Sequence, residues 1–242
     1  AAPGDVTREV TVTPRPHRPI WDLPAMFWVQ VFVGLSGILI GGWIWSLAPG
    51  RRPQAFLMLT GVGLALSSTA AAIYSTRELA LPASYFQVLG PLNLTGSLTF
   101  GAGVIGLFLS YPAQIGPRWL ALVQVGVIAA WLVGAFTRVI PDYTFAYQLP
   151  IATAMLVLVL LVGLQFRRAR KAKDLPARAA LRLFGLSVLI GAGSFVGLVT
   201  VPQLLGLEAQ VSQGYAFTLF LICYLGLALA VRRHRIFNLD QW

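Results

Sequence analysis

The sequence predicts an all-α, polytopic membrane protein: a bundle of seven transmembrane helices with its N-terminus outside and its C-terminus in the cytoplasm. Three observations predict it. First, 57% of the 242 residues are hydrophobic and only 11% are charged, with a mean hydropathy of +0.75. A soluble domain is roughly 45–50% apolar and about 25% charged, so a water-soluble enzyme and a disordered chain are both excluded. Second, apolar runs of the roughly 20 residues that a membrane-crossing helix needs recur along the chain, and none of the 26 charged residues lies well inside one. Third, lysine and arginine are concentrated in alternate connections between those runs.

The chain opens on residues 1–25, which read differently from the rest. Val6, Val10 and Val12 are interleaved with Thr7, Glu9, Thr11 and Thr13, a period of two that predicts a short extracytoplasmic β-strand. One strand is not stable alone, so it either completes a domain lying upstream or pairs with a partner chain. Pro14, Pro16, Pro19 and Pro24 then form a stiff, extended link to the membrane.

Residues 26–231 form the transmembrane domain. Its spans are Met26–Ala48, Ala55–Ser75, Ser84–Ser110, Trp119–Thr137, Ala146–Phe166, Leu183–Leu205 and Gly214–Val231. Backbone polar groups in lipid must be satisfied within their own segment, which makes helices of these runs. Strands of a barrel would alternate in shorter pieces. Trp21 and Trp28 flank the entry of the first span, Trp43 and Trp45 its far end, and Trp119 opens the fourth, an interfacial aromatic belt.

Lysine and arginine in short loops set orientation. The turns at Arg51-Arg52 and Arg118, the loop Arg167–Arg182 and the tail from Arg232 hold 13 basic residues and two acids, net +11. The opposite side holds five basic residues and six acids, net −1, and the two sides sum to the overall +10. The positive charge is thus explained by topology, and nucleic acid is not an expected partner. The expected location is a bacterial inner membrane.

The rare residues exclude several chemistries. Cys223 is the single cysteine, so there is no intrachain disulfide and no cysteine cluster for zinc or iron–sulfur. His17 and His234 both lie outside the apolar runs, and the two lysines, Lys171 and Lys173, sit in a basic loop. A bis-histidine haem and a retinal Schiff base therefore lack their ligands. Intramembrane ionisable residues usually mark pumps, proton relays and membrane enzymes, and the spans carry none at mid-depth. No catalytic set and no cofactor are expected.

Neutral polar residues do enter the spans. Asn93, Thr95, Ser97 and Thr99 follow Gly90-Pro91 on the third, where proline removes a backbone hydrogen bond and kinks the helix. They predict an outward-facing ligand pocket with a rim of Tyr74, Arg77, Tyr85, Gln87, Arg138, Tyr143, Tyr147 and Gln203. The competing reading is ordinary interhelical hydrogen bonding. Small residues predict close helix packing at Gly37 and Gly41, at Gly101, Gly103 and Gly106, and at Gly193 and Gly197. Packing within one chain is expected of them; a homodimer face is the alternative.

The cytoplasmic juxtamembrane tail, residues 232–242, ends the last span with Arg233-His234-Arg235-Ile236-Phe237-Asn238-Leu239-Asp240. This resembles the Arg-aromatic-Arg-Leu-Phe-Asp-Ile-Asp motif that closes the multi-helix sensor region of bacterial histidine kinases of the competence and quorum-sensing type, with His234 in place of the aromatic and Asn238 in place of an acid. Leu107–Pro112 followed by Pro117-Arg118-Trp119 is similar to that family's Phe-Pro turn after the third helix. Ala177–Gly185 is similar to its Arg-x-x-x-Leu-Arg-x-x-x-Gly entry to a late helix. Glu9–Thr13 and its proline-rich exit look like the end of the PDZ-like domain that often precedes such helices. The resemblance implies a sensory module that passes an extracytoplasmic or membrane signal to a cytoplasmic output domain, with Arg233, Arg235, Phe237, Leu239 and Asp240 as the transmitting segment. The alternative is an accessory subunit that stabilises a larger membrane complex through helix, lipid or pigment contacts. Expected partners are membrane lipids, a small amphiphile or a peptide.

Overall fold

The computed structural model describes residues 20–47, 49–140, 142–173 and 175–234. The expected N-terminal strand and the tail residues Arg235, Phe237, Leu239 and Asp240 lie outside them. Among the described residues every regular element is helical and there is no strand. We number the long helices α1 (Ala25–Leu47), α2 (Arg52–Ser75), α3 (Ala83–Ser110), α4 (Leu120–Phe136) and α5 (Tyr143–Lys171). Next comes α6, a continuous run of Leu175–Ala180, a π-turn at Leu181–Gly185, Leu186–Phe195, a second π-turn at Val196–Thr200, and Val201–Leu204. Last is α7, made of Gln213–Ala216 and Leu219–His234.

Six helices are long and apolar enough to cross a membrane, as in a multi-pass membrane protein. The exception is α4, whose 17 residues rise about 25 Å at 1.5 Å each, against a hydrocarbon core of about 30 Å. The first four helices follow the apolar runs to within three residues, while α5 overshoots its run at both ends for identifiable reasons. Asp142 caps its N-terminus by accepting a hydrogen bond from the Phe145 backbone N–H (3.0 Å). Arg168, Arg170 and Lys171 occupy its last turn, where cations suit the negative end of the helix dipole.

Apolar attraction between helices is weak in lipid, so close backbone approach decides which helices pair. Here α1, α2 and α3 form an antiparallel unit joined through glycine. A Cβ added at Gly61 would fall 2.3 Å from the Gly37 carbonyl oxygen of α1, and one at Gly63 would fall 2.3 Å from the Phe100 nitrogen of α3. On α3, Gly96 faces Ser67, Gly103 faces Thr60 and Gly106 faces the Phe56 ring. In consequence α2 lies between its neighbours, with Leu57, Leu64, Ser68 and Ala70–Ala72 buried.

The second half closes against this unit. Gly191 on α6 meets Leu219 and Cys223 of α7, and Gly226 of α7 meets Ser187 of α6. The Phe108 and Phe184 rings stack at 5.4 Å between α3 and α6, and Phe220 joins Phe100 and Phe195 at 5.0 and 5.1 Å. Tyr224 of α7 donates a hydrogen bond to Thr60 of α2 (3.4 Å). The exception is again α4. None of its residues is buried, and it is tied to other helices by hydrogen bonds from Gln124 Nε2 to the Ala102 carbonyl (3.0 Å) and from Trp131 Nε1 to the Ala146 carbonyl (2.9 Å).

Three basic turns gather at one end of the bundle. Arg52, Gln114 and Arg118 line one cleft of about 430 Å³, and Arg168 donates to the Gln114 carbonyl (3.1 Å). Gln165 of α5, fully buried, donates to the carbonyls of Phe108 and Ala113, both at 2.7 Å. It thereby clamps the turn between α3 and α4, which contains a cis Tyr111–Pro112 bond.

Candidate functional site

Because α4 stands away from the glycine-packed unit, the space it leaves is not filled. A cavity of about 570 Å³ lies between α3, α4 and α5 and reaches α6 and α7, within the 300–1,000 Å³ typical of small-molecule sites. Its walls are mainly aliphatic and aromatic. Ile105 and Leu109 of α3, Leu120 of α4 and Leu161 of α5 line its end nearer the basic turns. At the opposite end Ser67, Asn93, Ser97, Tyr147, Gln148 and Gln213 bring polar groups to it. Among the described residues no Asp, Glu, Lys, Arg or His lines it.

The polar end is ordered by a network between α2 and α3. Ser67 Oγ donates to Asn93 Oδ1 (2.5 Å), and Asn93 Nδ2 donates to the Tyr74 hydroxyl (2.8 Å). The Ser67 proton is thereby committed, so Ser97, 2.9 Å from Ser67 Oγ, is the donor in that pair. Asn93 is 4% exposed, and this chain of bonds offsets the cost of burying its amide. On the far wall Gln148 of α5 donates its amide to Gln203 Oε1 of α6. Gln148 Oε1 is buried and accepts no hydrogen bond from the described residues.

Of the residues expected to form an outward-facing pocket, the structure brings Asn93, Ser97 and Tyr147 to the cavity wall. Tyr74 and Gln203 stand behind them as hydrogen-bond partners. Thr95 is half-buried on another face of α3 and does not line the cavity, and Tyr85, Gln87, Arg77 and Arg138 are exposed and lie off it. Asn93 follows Pro91 within an unbroken α3. Sequence reasoning missed Gln148, Gln213, Gln124 and Trp131. The available signal was neutral amides in otherwise apolar runs, of which Asn93, Gln87 and Gln203 were singled out.

The small residues divide similarly. Gly37, Gly41 and Gly103 sit against neighbouring helices, at 3.0 Å or less from an added Cβ. Gly101 lines the cavity, Gly193 abuts Met155, and Gly197 faces open space. The tightest contacts with backbone atoms, at Gly61, Gly63 and Gly96, come from a run of small residues on α2 and its partners on α1 and α3. Arg233 belongs to the helical backbone of α7.

No family model matches the chain, and no curated protein matches its sequence.

Proposed function

We propose that this chain is a seven-span sensory module of a bacterial inner membrane, with α4 as its short fourth span, its N-terminus outside and its C-terminus in the cytoplasm. It receives a ligand in the cavity between α3, α4 and α5 and passes the change along α7 to the tail. One observation carries the reading: Phe217 and Phe220 of α7 line the same cavity as Asn93, and α7 runs from there to the basic cluster that begins at Arg232. An occupant would touch the helix that leaves the bundle. Phe220 also packs on Phe195 and Phe100, so displacing it disturbs α3 and α6 together.

The charge distribution supports the orientation, since the three basic turns meet at one end and short basic loops stay cytoplasmic. The resemblance of Arg233–Asp240 to the closing motif of kinase sensor regions supports transmission through Arg233, Arg235, Phe237, Leu239 and Asp240. The role is reception and transmission rather than catalysis.

The test is to join the chain at Trp242 to a cytoplasmic output domain of measurable activity. Filling the cavity with Ala154→Phe should change basal output severalfold. Phe237→Ser with Leu239→Ser should abolish that change while membrane insertion is retained. Output that ignores both changes, with the chain instead recovered as a stoichiometric part of a larger complex, contradicts the sensor and favours the accessory subunit.

A further inference from the structure

Resting on the reading of this cavity as a ligand site, we infer the class of its occupant: an uncharged, single-chain amphiphile whose head carries a hydroxyl or amide N–H. Four features of the cavity lead there. Its lining holds no ionisable acid or base apart from the tyrosine hydroxyl. A carboxylate, ammonium or phosphate placed inside would lose its hydration without a counter-charge, which costs several kcal/mol in a low-dielectric interior. A charged head is therefore rejected.

Ser67, Asn93, Ser97, Tyr147, Gln148 and Gln213 gather at one end, and farther along the mainly apolar wall Gln124 commits an amide N–H to the Ala102 carbonyl, so the occupant has one head and one apolar body. Asn93 and Leu109 mark the two ends on α3, 16 residues apart, which is about 24 Å along a helix. That is an elongated slot, and a compact polar solute would leave most of it unfilled. The third feature is Gln148, which lines the cavity and whose Oε1 has no donor among the described residues. A buried acceptor left unmatched is costly, and a rotation of this side chain toward the cavity lets an O–H or N–H on the head group supply the missing donor.

The fourth feature is the route in. Val123 and Val127 of α4 and Val157 of α5 line the cavity and are 47%, 62% and 40% exposed. The cavity thus opens sideways between α4 and α5, onto a flank where Leu122, Leu156 and Leu160 are also exposed. A molecule dissolved in the bilayer reaches it without crossing the polar ends of the bundle. Two-chain phospholipids fail on both the head charge and the single slot.

The probe is 1-monooleoylglycerol. The full chain is purified into phosphatidylcholine nanodiscs and photolabelled with a monoacylglycerol bearing a diazirine in its chain. Labelled peptides should fall on α4 and α5, and unlabelled 1-monooleoylglycerol should compete saturably. Oleate at pH 9 and lysophosphatidylcholine should compete at least tenfold more weakly. Gln148→Leu should weaken competition by roughly three- to tenfold, the value of one neutral hydrogen bond, and Ala154→Phe should remove labelling at the cavity. Equal competition by oleate or lysophosphatidylcholine overturns the inference on the wild-type protein alone, as does labelling spread evenly over the exposed faces of α1 and α7. A chain that binds monooleoylglycerol selectively yet leaves the joined output domain unchanged supports this inference and contradicts the sensor reading. Cavity-filling that shifts output while monooleoylglycerol fails to compete does the reverse.

Discussion

Helices α2 and α4 are both apolar, uncharged through their middles and bounded by arginine-bearing turns, yet the bundle treats them oppositely. α2 sits between α1 and α3 with its backbone almost touching theirs, while α4 buries none of its residues. The difference is the side chains offered to neighbours. α2 presents Gly61, Gly63, Ser67, Ser68 and Ala70–Ala72, small groups that let two helices approach until backbone meets backbone. α4 carries small residues too, among them Ala129, Ala130 and Gly134, but they are unmatched: an added Cβ at Gly126 has nothing within 4 Å, and one at Gly134 meets Ile140, just past the end of α4 itself. Apolarity therefore brings a helix into the bilayer, and small residues matched by small residues on a partner place it at the centre. A glycine without such a partner does nothing.

The sharpest way to break this contrast is to add a methyl group on each side. Gly63→Ala and Gly61→Ala should each cost about 1–3 kcal/mol through overpacking, read as a lower unfolding midpoint in detergent. Gly126→Ala, chemically the same change, should stay within about 0.5 kcal/mol. Equal effects on both helices would remove the distinction.

Next in size is the buried network. Asn93→Leu removes the acceptor of the Ser67 hydroxyl and a donor to Tyr74, and should destabilise the chain by about 1–3 kcal/mol while impairing any response to monooleoylglycerol. A normal dose response would separate Asn93 from the ligand. Gln165→Leu should cost about 1–2 kcal/mol, and its effect should be local: faster amide exchange at Leu120–Val123, with α1 and α2 unchanged. Gln124→Leu, which removes one hydrogen bond that ties α4 to α3, should cost only about 0.6 kcal/mol, the average for an interhelical hydrogen bond in a membrane protein. A loss as large as that of Asn93→Leu would mean that α4 is held as firmly as α2.

The helices were legible in the sequence because hydropathy is a local property. The ends of α1–α4 follow from where Pro, Arg and Gly interrupt the apolar runs. The neighbours of each helix were less legible, because they depend on which small-residue stripes match. Gly37 and Gly41 were readable as GxxxG, whereas the meetings of Gly61 with Gly37 and of Gly63 with Gly96 join segments that no single window contains. The site shared that limit. Asn93, Ser97 and Tyr147 were recognisable as polar groups inside apolar runs, and they do meet. Tyr85, Gln87 and Arg138 were grouped with them by depth alone, and the lateral position of a helix end is absent from a one-dimensional pattern. The cavity itself is a failure of packing beside α4, and follows from what α4 lacks.

In the proposed function α4 is the loosely held outer wall of a ligand cavity beside a fixed α1–α2–α3 unit. The most direct measurement is a pair of spin-label distance distributions in nanodiscs, one from Leu39 on α1 to Leu122 on α4 and one from Leu39 to Leu92 on α3. These three positions are all exposed. With few buried contacts to hold it, α4 should give a broad distribution that narrows and shifts when 1-monooleoylglycerol is added, while the α1–α3 distance stays narrow and unchanged. An α4 distance as narrow as the α1–α3 control, and unmoved by the ligand, would contradict the account.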